Sequence, residues 1–463
     1  MSLKTRRIIF IFFILAFLII STFAISYASG YKLTLKRRFI EKTGMLILDT
    51  EPRGAKIYLN GEPRQLFLKK YFDEKNSYIT TPAKIKNLAP GEYEVKMELS
   101  GYSSWQKKLE VKGGVSTFAE DVNLFKKDLP IILAKGNINQ IFLSPNNEYL
   151  AVASQKETYL IELKTENKIS LNGEKNSSLA PNASSSFPVL WSPGSAKILI
   201  SHSVFQVDNP LESLDLSEFI KQKSFNLKWG GNEDEILFLG GDKKESAIYS
   251  FDLISKKVKK IINEEKIINF FVKNGYLFII NQTGKKINLN IYEINSGQKM
   301  GNTEPLPVSD YEFINPKHKL INLYDKKRGI LYLIDPFSPR PLKETINNVK
   351  YTYWISENKL LYANDFEIWL SDFNPAWAGQ KKLLTRISEP ITGIIWHPSN
   401  NYLIYSASQT INSIELDERE KRNSTELIKL DKISEIFLNK KGDALYFSAK
   451  LGSQEGLYKL AIQ

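Results

Sequence analysis

A phrase of three short apolar runs separated by turns returns about every 42 residues from Ile138 to the C-terminus, and this recurrence constrains the fold most. The first copy consists of residues 141–143, 149–153 and 159–163. A period of about 40–45 residues with three or four strands per unit is typical of β-propeller blades, which bury their faces by stacking on neighbours. The copies begin near Ile141, Phe187, Phe225, Ile268, Tyr311, Val349, Ile394 and Ile433.

The composition of the runs favours strands over helices. The runs are four to six residues long and rich in Ile, Leu, Tyr and Phe, and they are separated by Asn, Gly, Ser and Pro. Eight copies predict eight blades in an all-β fold. Seven blades are the alternative, because the second copy, residues 187–221, has irregular strands and could be partly loop.

The ends of the repeat array predict how the ring closes. The last copy stops at Ile462 without a fourth run, whereas an apolar run at residues 129–133 precedes the first copy. If the early run pairs with the last blade, two exposed sheet edges disappear. We therefore expect residues 129–133 to supply the missing strand.

The turn phrases resemble those of a known group of propellers. Residues 142–147, 191–194 and 396–400 resemble the aromatic-Ser-Pro-Asp-Gly turn of propellers similar to the translocation protein TolB. Other copies, such as residues 229–232 and 437–443, depart from this motif but keep the Gly and Asn that such turns use. The Trp-Asp dipeptide typical of WD40 repeats is absent from the sequence. The resemblance implies a TolB-like or WD40-like propeller, a fold that is more often a scaffold than an enzyme.

The N-terminal segment predicts a membrane anchor. Three basic residues precede residues 8–28, which contain no charged side chain. This length spans a bilayer core, so we expect contact with the lipid bilayer through residues 8–28. A cleavable signal peptide is the alternative, because residues 26–28 place small side chains at the spacing that a signal peptidase uses.

The orientation of this segment does not follow from its charges, because basic residues flank it on both sides. A short head before an export-like segment favours an N-terminus inside the cell. We therefore expect a single-pass cell-membrane protein whose large domains are extracytoplasmic. The alternative is an intracellular regulatory scaffold with the propeller facing the cytoplasm.

Residues 44–126 predict a small β-sandwich between anchor and propeller. Apolar residues alternate with Lys and Glu, as in residues 105–111, so we expect one face of each strand to be buried and the other to be exposed to solvent. Turn signals lie at residues 60–61 and 90–91. The predicted domains are a head and anchor at 1–30, a linker at 31–43, the sandwich at 44–126 and the propeller at 127–463.

Turn and strand motifs follow one another in a fixed order at residues 50–61, 81–83, 88–93 and 101–102. In this order they resemble the PEGA domain, a surface-layer-associated β module of bacteria and archaea. Arg53 stands where the Glu of Pro-Glu-Gly-Ala would be, while Pro52 and Gly54 keep the turn. The resemblance implies a cell-envelope setting and attaches no enzymatic activity to the module.

One segment of the sandwich mixes aromatic and basic side chains close to the anchor. Such side chains favour a membrane interface, so we expect this loop to touch lipid headgroups or a partner. An extra strand pair packed on the sandwich is the alternative. The candidate contact residues are Phe67, Lys69, Lys70, Tyr71 and Phe72.

No pattern in the sequence predicts a catalytic residue, a metal site or a cofactor. The chain has no cysteine and 3 histidines, and His397 stands in the turn position that Ser144 and Ser192 occupy in other copies. Nucleophile-elbow, phosphate-loop and paired-histidine motifs are absent. A glycosidase-like envelope hydrolase is the alternative, because channel carboxylates could act as acid and base. Its candidate residues are Asp325, Asp335, Asp365 and Asp372.

The formal net charge of +12 comes from scattered lysines rather than from an arginine cluster. We expect no nucleic-acid binding, because no recognised motif accompanies this charge. Acidic envelope polymers are an alternative partner. The sequence thus predicts a non-enzymatic scaffold that presents a propeller to an unknown envelope protein or glycan.

Overall fold

The N-terminal segment forms one long helix, α1, which spans Leu3–Ala28. Within it, Thr5–Ser26 has a mean hydropathy of 3.1 and is 0% buried against the rest of the chain. A helix of this length and composition near the N-terminus fits a membrane anchor or a signal sequence. The computed structural model describes residues 3–28, 30–34, 39–66, 77–154, 157–171, 189–220, 224–241, 245–302, 306–315, 318–374 and 380–463.

The segment predicted as a linker, residues 31–43, contains a β-hairpin instead. Strands β1 (Tyr31–Thr34) and β2 (Phe39–Lys42) pair antiparallel. At the base of the hairpin, the N–H and the hydroxyl of Thr43 each donate to the Gly30 carbonyl at 2.7 Å. Aromatic and β-branched residues in both strands favour this pairing over an open linker.

Two sheets form the sandwich. One has the strand order β6-β3-β9 and the other β5-β4-β7-β8, and β3 and β9 run parallel. The sheets enclose one apolar cluster that includes Leu46, Ile57, Val95 and Leu109. The strands are β3 (Gly44–Glu51), β4 (Lys56–Leu59), β5 (Glu62–Pro63), β6 (Ala83–Leu88), β7 (Gly91–Glu98), β8 (Trp105–Val111) and β9 (Ser116–Asn123).

Two buried threonines hold the turn that carries the PEGA resemblance. The hydroxyls of Thr50 and Thr81 lie 2.6 Å apart, and Thr81 Oγ1 accepts a hydrogen bond from the Ala55 N–H at 3.0 Å. At the predicted hairpin turn, Asn60 and Gly61 both have positive φ, 53° and 82°, and the turn joins β4 to β5. Asn and Gly tolerate this left-handed conformation, and the predicted hairpin is confirmed.

Eight four-stranded antiparallel sheets follow within the described residues. We call them blades 1 to 8 in the order of their first strands. Blade 2 has the shortest strands of the eight, at three or four residues each. The strands of blades 1 to 4 are β11 (Ile138–Leu143), β12 (Tyr149–Ser154), β13 (Thr158–Glu162) and β14 (Lys168–Ser170); β15 (Val189–Trp191), β16 (Lys197–Ile200), β17 (Ser203–Gln206) and β18 (Ser213–Asp215), which the 3₁₀ helix Leu216–Glu218 follows; β19 (Ser224–Trp229), β20 (Glu235–Gly241), β21 (Glu245–Asp252) and β22 (Lys257–Glu265); and β23 (Ile267–Lys273), β24 (Tyr276–Thr283), β25 (Lys286–Glu293) and β26 (Lys299–Asn302).

The later blades repeat this order, except that the last takes its outermost strand from before blade 1. Strand β10 (Ile131–Lys135) pairs antiparallel with β41, with Ile131 opposite Lys459, so the predicted closing strand is confirmed. The remaining strands are β27 (Tyr311–Ile314), β28 (Ile321–Asp325), β29 (Ile330–Ile334) and β30 (Leu342–Ile346); β31 (Tyr351–Ser356), β32 (Lys359–Ala363), β33 (Glu367–Asp372) and β34 (Gln380–Arg386); β35 (Ile391–Trp396), β36 (Tyr402–Ala407), β37 (Thr410–Glu415) and β38 (Ser424–Lys429); and β39 (Lys432–Leu438), β40 (Ala444–Leu451) and β41 (Gln454–Ala461).

The core of the ring is divided among the interfaces between blades. A buried apolar cluster lies between each pair of successive blades. A further cluster, with Ile141 and Val152 facing Tyr446 and Leu457, joins blade 8 to blade 1. The described sheets therefore form a closed ring.

The ring has two faces, which the connections between strands define. The first strands of neighbouring blades lie side by side at the centre, so each blade runs outward from its first strand. Turns between the first and second strands, and between the third and fourth, lie on one face, which we call the module face. Turns between the second and third strands, and the connections to the next blade, lie on the opposite face, which we call the distal face.

The recurring turn phrases are fixed by side chains that cap the turn. The hydroxyls of Ser144 and Ser192 each accept a backbone N–H of the following strand at 2.9 Å. In blade 7, His397 takes this position and is buried, with Nδ1 2.8 Å from Ser399 Oγ and Nε2 3.1 Å from the Gly442 carbonyl oxygen in blade 8. Burial lowers the pKa of His397, which keeps its imidazole neutral at pH 7.

Candidate functional site

The sandwich docks on the module face of blade 7. The ring of Phe125 packs edge-to-face on Tyr402, with centroids 5.3 Å apart, and belongs to the apolar cluster between blades 7 and 8. The Tyr402 hydroxyl accepts a hydrogen bond from the Asn123 N–H at 3.1 Å. Burial raises the pKa of Tyr402, so its hydroxyl stays protonated.

A buried ion pair fixes this contact. Lys107 lies on β8, and its side chain is 0% exposed. Its Nζ lies 2.9 Å from Glu415 Oε2 and 3.4 Å from Asp417 Oδ2, and it donates to the Asp417 carbonyl at 2.9 Å. Glu415 also accepts hydrogen bonds from Trp105 Nε1 at 3.1 Å and from Asn423 Nδ2 at 3.0 Å. Both buried charges therefore have hydrogen-bond partners as well as an opposite charge.

The turn between β37 and β38 extends this contact to a second strand of the sandwich. Burial would raise the pKa of Asp417, but hydrogen bonds from Arg419 and the charge of Lys107 hold it below its usual value. Arg419 also donates to the Phe118 carbonyl on β9 at 2.7 Å. Glu420 accepts a hydrogen bond from the Lys108 N–H at 2.6 Å. The sandwich and blade 7 are thus joined by directional contacts in addition to apolar packing.

The sequence carries a signal for this joint that the prediction missed. Burial alternates along β8, and Lys107 lies in register with the buried residues Trp105, Leu109 and Val111. A lysine at an inward-facing position needs an ionic partner. Its partner Asp417 lies 310 residues later, and no local pattern links the two positions.

A cleft of about 930 Å³ opens on the distal face over blades 5 and 6. The turns between the second and third strands of both blades border it, together with the connections that follow the fourth strands. Each of the three cations that line the cleft pairs with a carboxylate; two of these carboxylates also line it, and the third is that of the buried Asp325. The charged lining residues are Arg328, Lys350, Arg386, Asp365 and Glu367.

Ion pairs hold the cationic side chains of the cleft in place. Lys350 Nζ lies 2.8 Å from Asp365 Oδ1, and Arg386 Nε donates to Glu367 Oε1 at 2.8 Å. The hydrogen bond to Asp365 raises the pKa of Lys350, and the hydrogen bonds from Arg386 lower the pKa of Glu367. Lys350 and Glu367 therefore stay charged at neutral pH.

An exposed aromatic ring stands beside these charges. Asn364 Oδ1 accepts hydrogen bonds from the N–H groups of Phe366 and Glu367 at 2.8 and 2.7 Å, which fixes the turn between β32 and β33. Phe366 is 46% exposed at the tip of this turn. The cleft therefore combines fixed charges with an accessible apolar contact, an arrangement suited to binding.

The four aspartates of the hydrolase hypothesis do not meet. Asp325 and Asp365 lie on the distal face, whereas Asp335 and Asp372 follow or end third strands and lie on the module face. Asp325 is buried and lies 2.5 Å from the Nε of Arg328. Burial would raise the pKa of Asp325, but hydrogen bonds from its neighbours, Arg328 among them, hold it below its usual value.

The other predicted site residues lie outside the described part of the chain. Phe67, Lys69, Lys70, Tyr71 and Phe72 all fall in 67–76, so their contacts stay predictions. Within the described ranges, no group of three or more His, Asp or Glu side chains could hold a metal ion.

Two ionisable side chains that the prediction did not name bridge first strands near the centre of the ring. Lys228 Nζ donates to Asn269 Oδ1 at 2.7 Å and to the Phe270 carbonyl at 2.8 Å, joining blades 3 and 4. Burial lowers the pKa of Lys228 to about 8. Glu435 accepts a hydrogen bond from the Ile141 N–H at 3.3 Å, and burial raises the pKa of Glu435. Both side chains contribute contacts between blades.

Comparison with solved structures finds propellers. The chain is similar to the Dos1 propeller, with 12% identity, coverage of 73% of this chain and 96% of that chain, and a TM-score of 0.49. It is similar to the WD40 domain of SCAP from fission yeast, with 9% identity, coverage of 72% and 98%, and a TM-score of 0.45. It is also similar to a eukaryotic initiation factor, with 11% identity, coverage of 73% of this chain and 88% of that chain, and a TM-score of 0.46. At these identities the similarity says nothing of ligands.

Comparison by sequence identifies the module before the propeller. No curated protein matches the chain. Residues 71–126, which include β6 to β9, match the PEGA domain family. The match begins after residues 50–61, which carried the first part of the predicted resemblance. The prediction is confirmed for the later motifs, and the chain carries a PEGA domain.

Proposed function

We propose that the protein is a non-enzymatic scaffold that presents the distal face of its propeller to a protein of the cell envelope. The observation that carries this proposal is the division of the two faces. The sandwich occupies the module face at blade 7 through Lys107 and Phe125. The cleft with its exposed Phe366 lies on the opposite face.

The fixed joint supports a presenting role. Association costs less when the binding surface is already ordered, and a scaffold benefits from holding its surface in one orientation. A propeller and a PEGA domain are both compatible with protein interaction in general. The sandwich then acts as a spacer between α1 and the propeller.

The proposed setting is the outer side of a cell membrane, with α1 as an uncleaved anchor. The candidate span Thr5–Ser26, which carries no charge after Arg7, supports an anchor, and the PEGA domain supports an extracytoplasmic location. Because the chain has no cysteine, single cysteines can be introduced as specific reporters of this topology. Phe337 suits this purpose, because it is 61% exposed and its substitution leaves the cleft intact.

Topology is tested with Phe337→Cys in intact cells and a membrane-impermeant maleimide. Labelling before lysis is expected for an extracytoplasmic propeller. Labelling only after lysis would instead support the intracellular scaffold.

Binding is tested by site-specific photocrosslinking in native membranes. Ser388→Cys and Phe337→Cys carry the same crosslinker, one on the distal face and one on the module face; Ser388 is exposed beside Ile387 and is not a lining residue of the cleft. We expect a discrete crosslinked partner from Ser388→Cys and none from Phe337→Cys. Equal products from both positions, or none from either, would contradict a scaffold that acts through its distal face.

A further inference from the structure

We propose that the distal cleft binds an extended acidic segment of a partner protein in which an aromatic or large apolar side chain stands next to carboxylates. This inference rests on the proposed scaffold function and specifies its binding site and the chemistry of its partner. The supporting observations are the charge of the cleft, the accessibility of its cations, the exposed Phe366 and its position on the ring.

The charge of the cleft favours an acidic ligand. Its lining carries three cations and two carboxylates, and the buried Asp325 pairs with Arg328, so these charges balance. The bordering turn of blade 5 adds the exposed Lys326 and Lys327. Lys326 pairs with Glu312 at 2.9 Å, so Lys327 supplies the excess positive charge. Complementary charge speeds encounter and excludes basic ligands.

The cations are both ordered and accessible. The Lys350 side chain is 46% exposed and the Arg386 side chain 69% exposed, although each is held by a carboxylate of the cleft. A ligand carboxylate can approach the free N–H groups of either side chain without breaking the existing pair. Charge-assisted hydrogen bonds of this kind are stronger than those between neutral groups, and little side-chain entropy remains to be lost.

The apolar contacts define the second half of the ligand. Phe366 is 46% exposed, and the partly buried Ile387 also lines the cleft. Aromatic residues contribute strongly at protein interfaces when a partner side chain covers them. An uncharged hydrophilic ligand would leave both Phe366 and the cations without matching contacts.

The size and position of the cleft suit a chain segment. Its volume of about 930 Å³ is at the upper end of the range for ligand sites, which is about 300–1,000 Å³. It lies across the turns of two blades rather than in the central channel. The sandwich contacts the opposite face, so the described part of the chain leaves the approach open.

The test measures direct binding by the full-length chain in detergent micelles. The probe is a fluorescent array of acidic peptides in which Glu-Asp pairs flank each aromatic or large apolar residue in turn. The strongest array peptide is then titrated by anisotropy. We expect the dissociation constant to rise about tenfold in Phe366→Ser and in Lys350→Gln, and Phe366→Leu to restore most of the affinity.

Matched controls lie on the module face of blade 5. Phe337→Ser removes an exposed aromatic ring, and Lys343→Gln removes a partly exposed lysine. These variants are expected to bind within about twofold of the unmodified chain. A basic peptide array with Lys-Lys pairs in place of Glu-Asp is expected to give no binding.

Three outcomes would overturn the proposal. In the first, no array peptide binds; in the second, the distal variants bind the peptide as tightly as the controls do. In the third, every peptide fails, but polygalacturonate binds the unmodified chain and no longer binds the distal variants. The last result would assign the cleft to an acidic polysaccharide. If photocrosslinking from Ser388→Cys still captures a protein when the peptides fail, the scaffold function stands and the acidic segment is wrong. If crosslinking fails while the peptides bind, the presenting role fails and the site remains.

Discussion

Replacing Lys107 with methionine tests whether the buried ion pair holds the sandwich on blade 7. The change keeps a side chain of similar length but removes the charge that lies 2.9 Å from Glu415. Glu415 is 5% exposed, so its carboxylate would remain buried without its principal counter-charge. We expect the joint to open while the propeller itself stays folded.

The expected size of the effect follows from the geometry. At an effective dielectric constant of about 20, two charges 2.9 Å apart attract by about 6 kcal/mol. Part of this attraction offsets the desolvation of Lys107, and breaking a buried pair by removing one partner costs about 3–5 kcal/mol. Trp105 and Asn423 still donate to Glu415, which favours the lower end, about 3 kcal/mol.

Hydrogen exchange followed by mass spectrometry measures this loss locally. The Lys108 amide reports directly, because it donates to Glu420 across the joint. A loss of about 3 kcal/mol corresponds to about 100-fold faster exchange there. The matched control is Lys96→Met on the neighbouring strand, which removes an exposed pair with Glu98 and is expected to cost about 0–1 kcal/mol.

A second substitution separates the ion pair from general packing. Glu415→Gln neutralises the stranded carboxylate and keeps an acceptor for Trp105. In the Lys107→Met background it is expected to recover about 1–2 kcal/mol, so the two changes are not additive. An effect of Lys107→Met no larger than that of Lys96→Met, or additive single and double variants, would refute the reasoning.

Three further predictions concern the ring. A Cβ on Gly456 would lie 2.2 Å from the Ala134 carbonyl oxygen, so Gly456→Ala should lower the free energy of unfolding by about 1–3 kcal/mol in urea titrations, while Gly231→Ala, with open space around it, should not. Burial lowers the pKa of Lys228 from 10.5 to about 8, so between these pH values the unfolded chain binds more protons than the folded chain. The free energy of unfolding of the unmodified chain should therefore rise by about 3 kcal/mol relative to that of Lys228→Met between pH 8 and 10.5. Parallel pH curves of the two proteins would contradict this. The lowered pKa of His397 means that the unfolded chain takes up its proton first as pH falls below 6.5, so His397→Gln should weaken the loss of stability on acidification, measured as the melting temperature between pH 5 and 7.

The sequence predicts the repeat architecture well because blade formation is a local property. Each strand run, and each turn such as the one capped by Ser144, is specified by neighbouring residues. The closing strand at Ile131 was also predictable, since an unpaired final blade and an unassigned apolar run complement each other. Strand β6, by contrast, is hard to predict, because residues 83–88 carry too weak an alternation to distinguish them from loop.

The site could be predicted much less well, because it depends on distances along the chain that no local pattern encodes. The cleft brings Arg328, Lys350 and Arg386 together from two blades, although each stands in an ordinary turn or strand end. The pairing of Lys107 with Asp417 spans two domains. In both places the residue types were visible in the sequence, and only the fold supplied their neighbours.

The joint at Lys107 also explains how a propeller on a spacer can have a defined direction. Apolar contacts such as that of Phe125 with Tyr402 favour burial but are not directional, so alone they would tolerate several ways of docking. Trp105 and Lys107 must instead reach one carboxylate, Glu415, from the same strand, and this requirement selects a single orientation. Because Glu415 ends a third strand on the module face, that orientation turns the cleft of blades 5 and 6 away from the sandwich. The charge that makes the joint specific therefore also determines which face of the ring is free to bind.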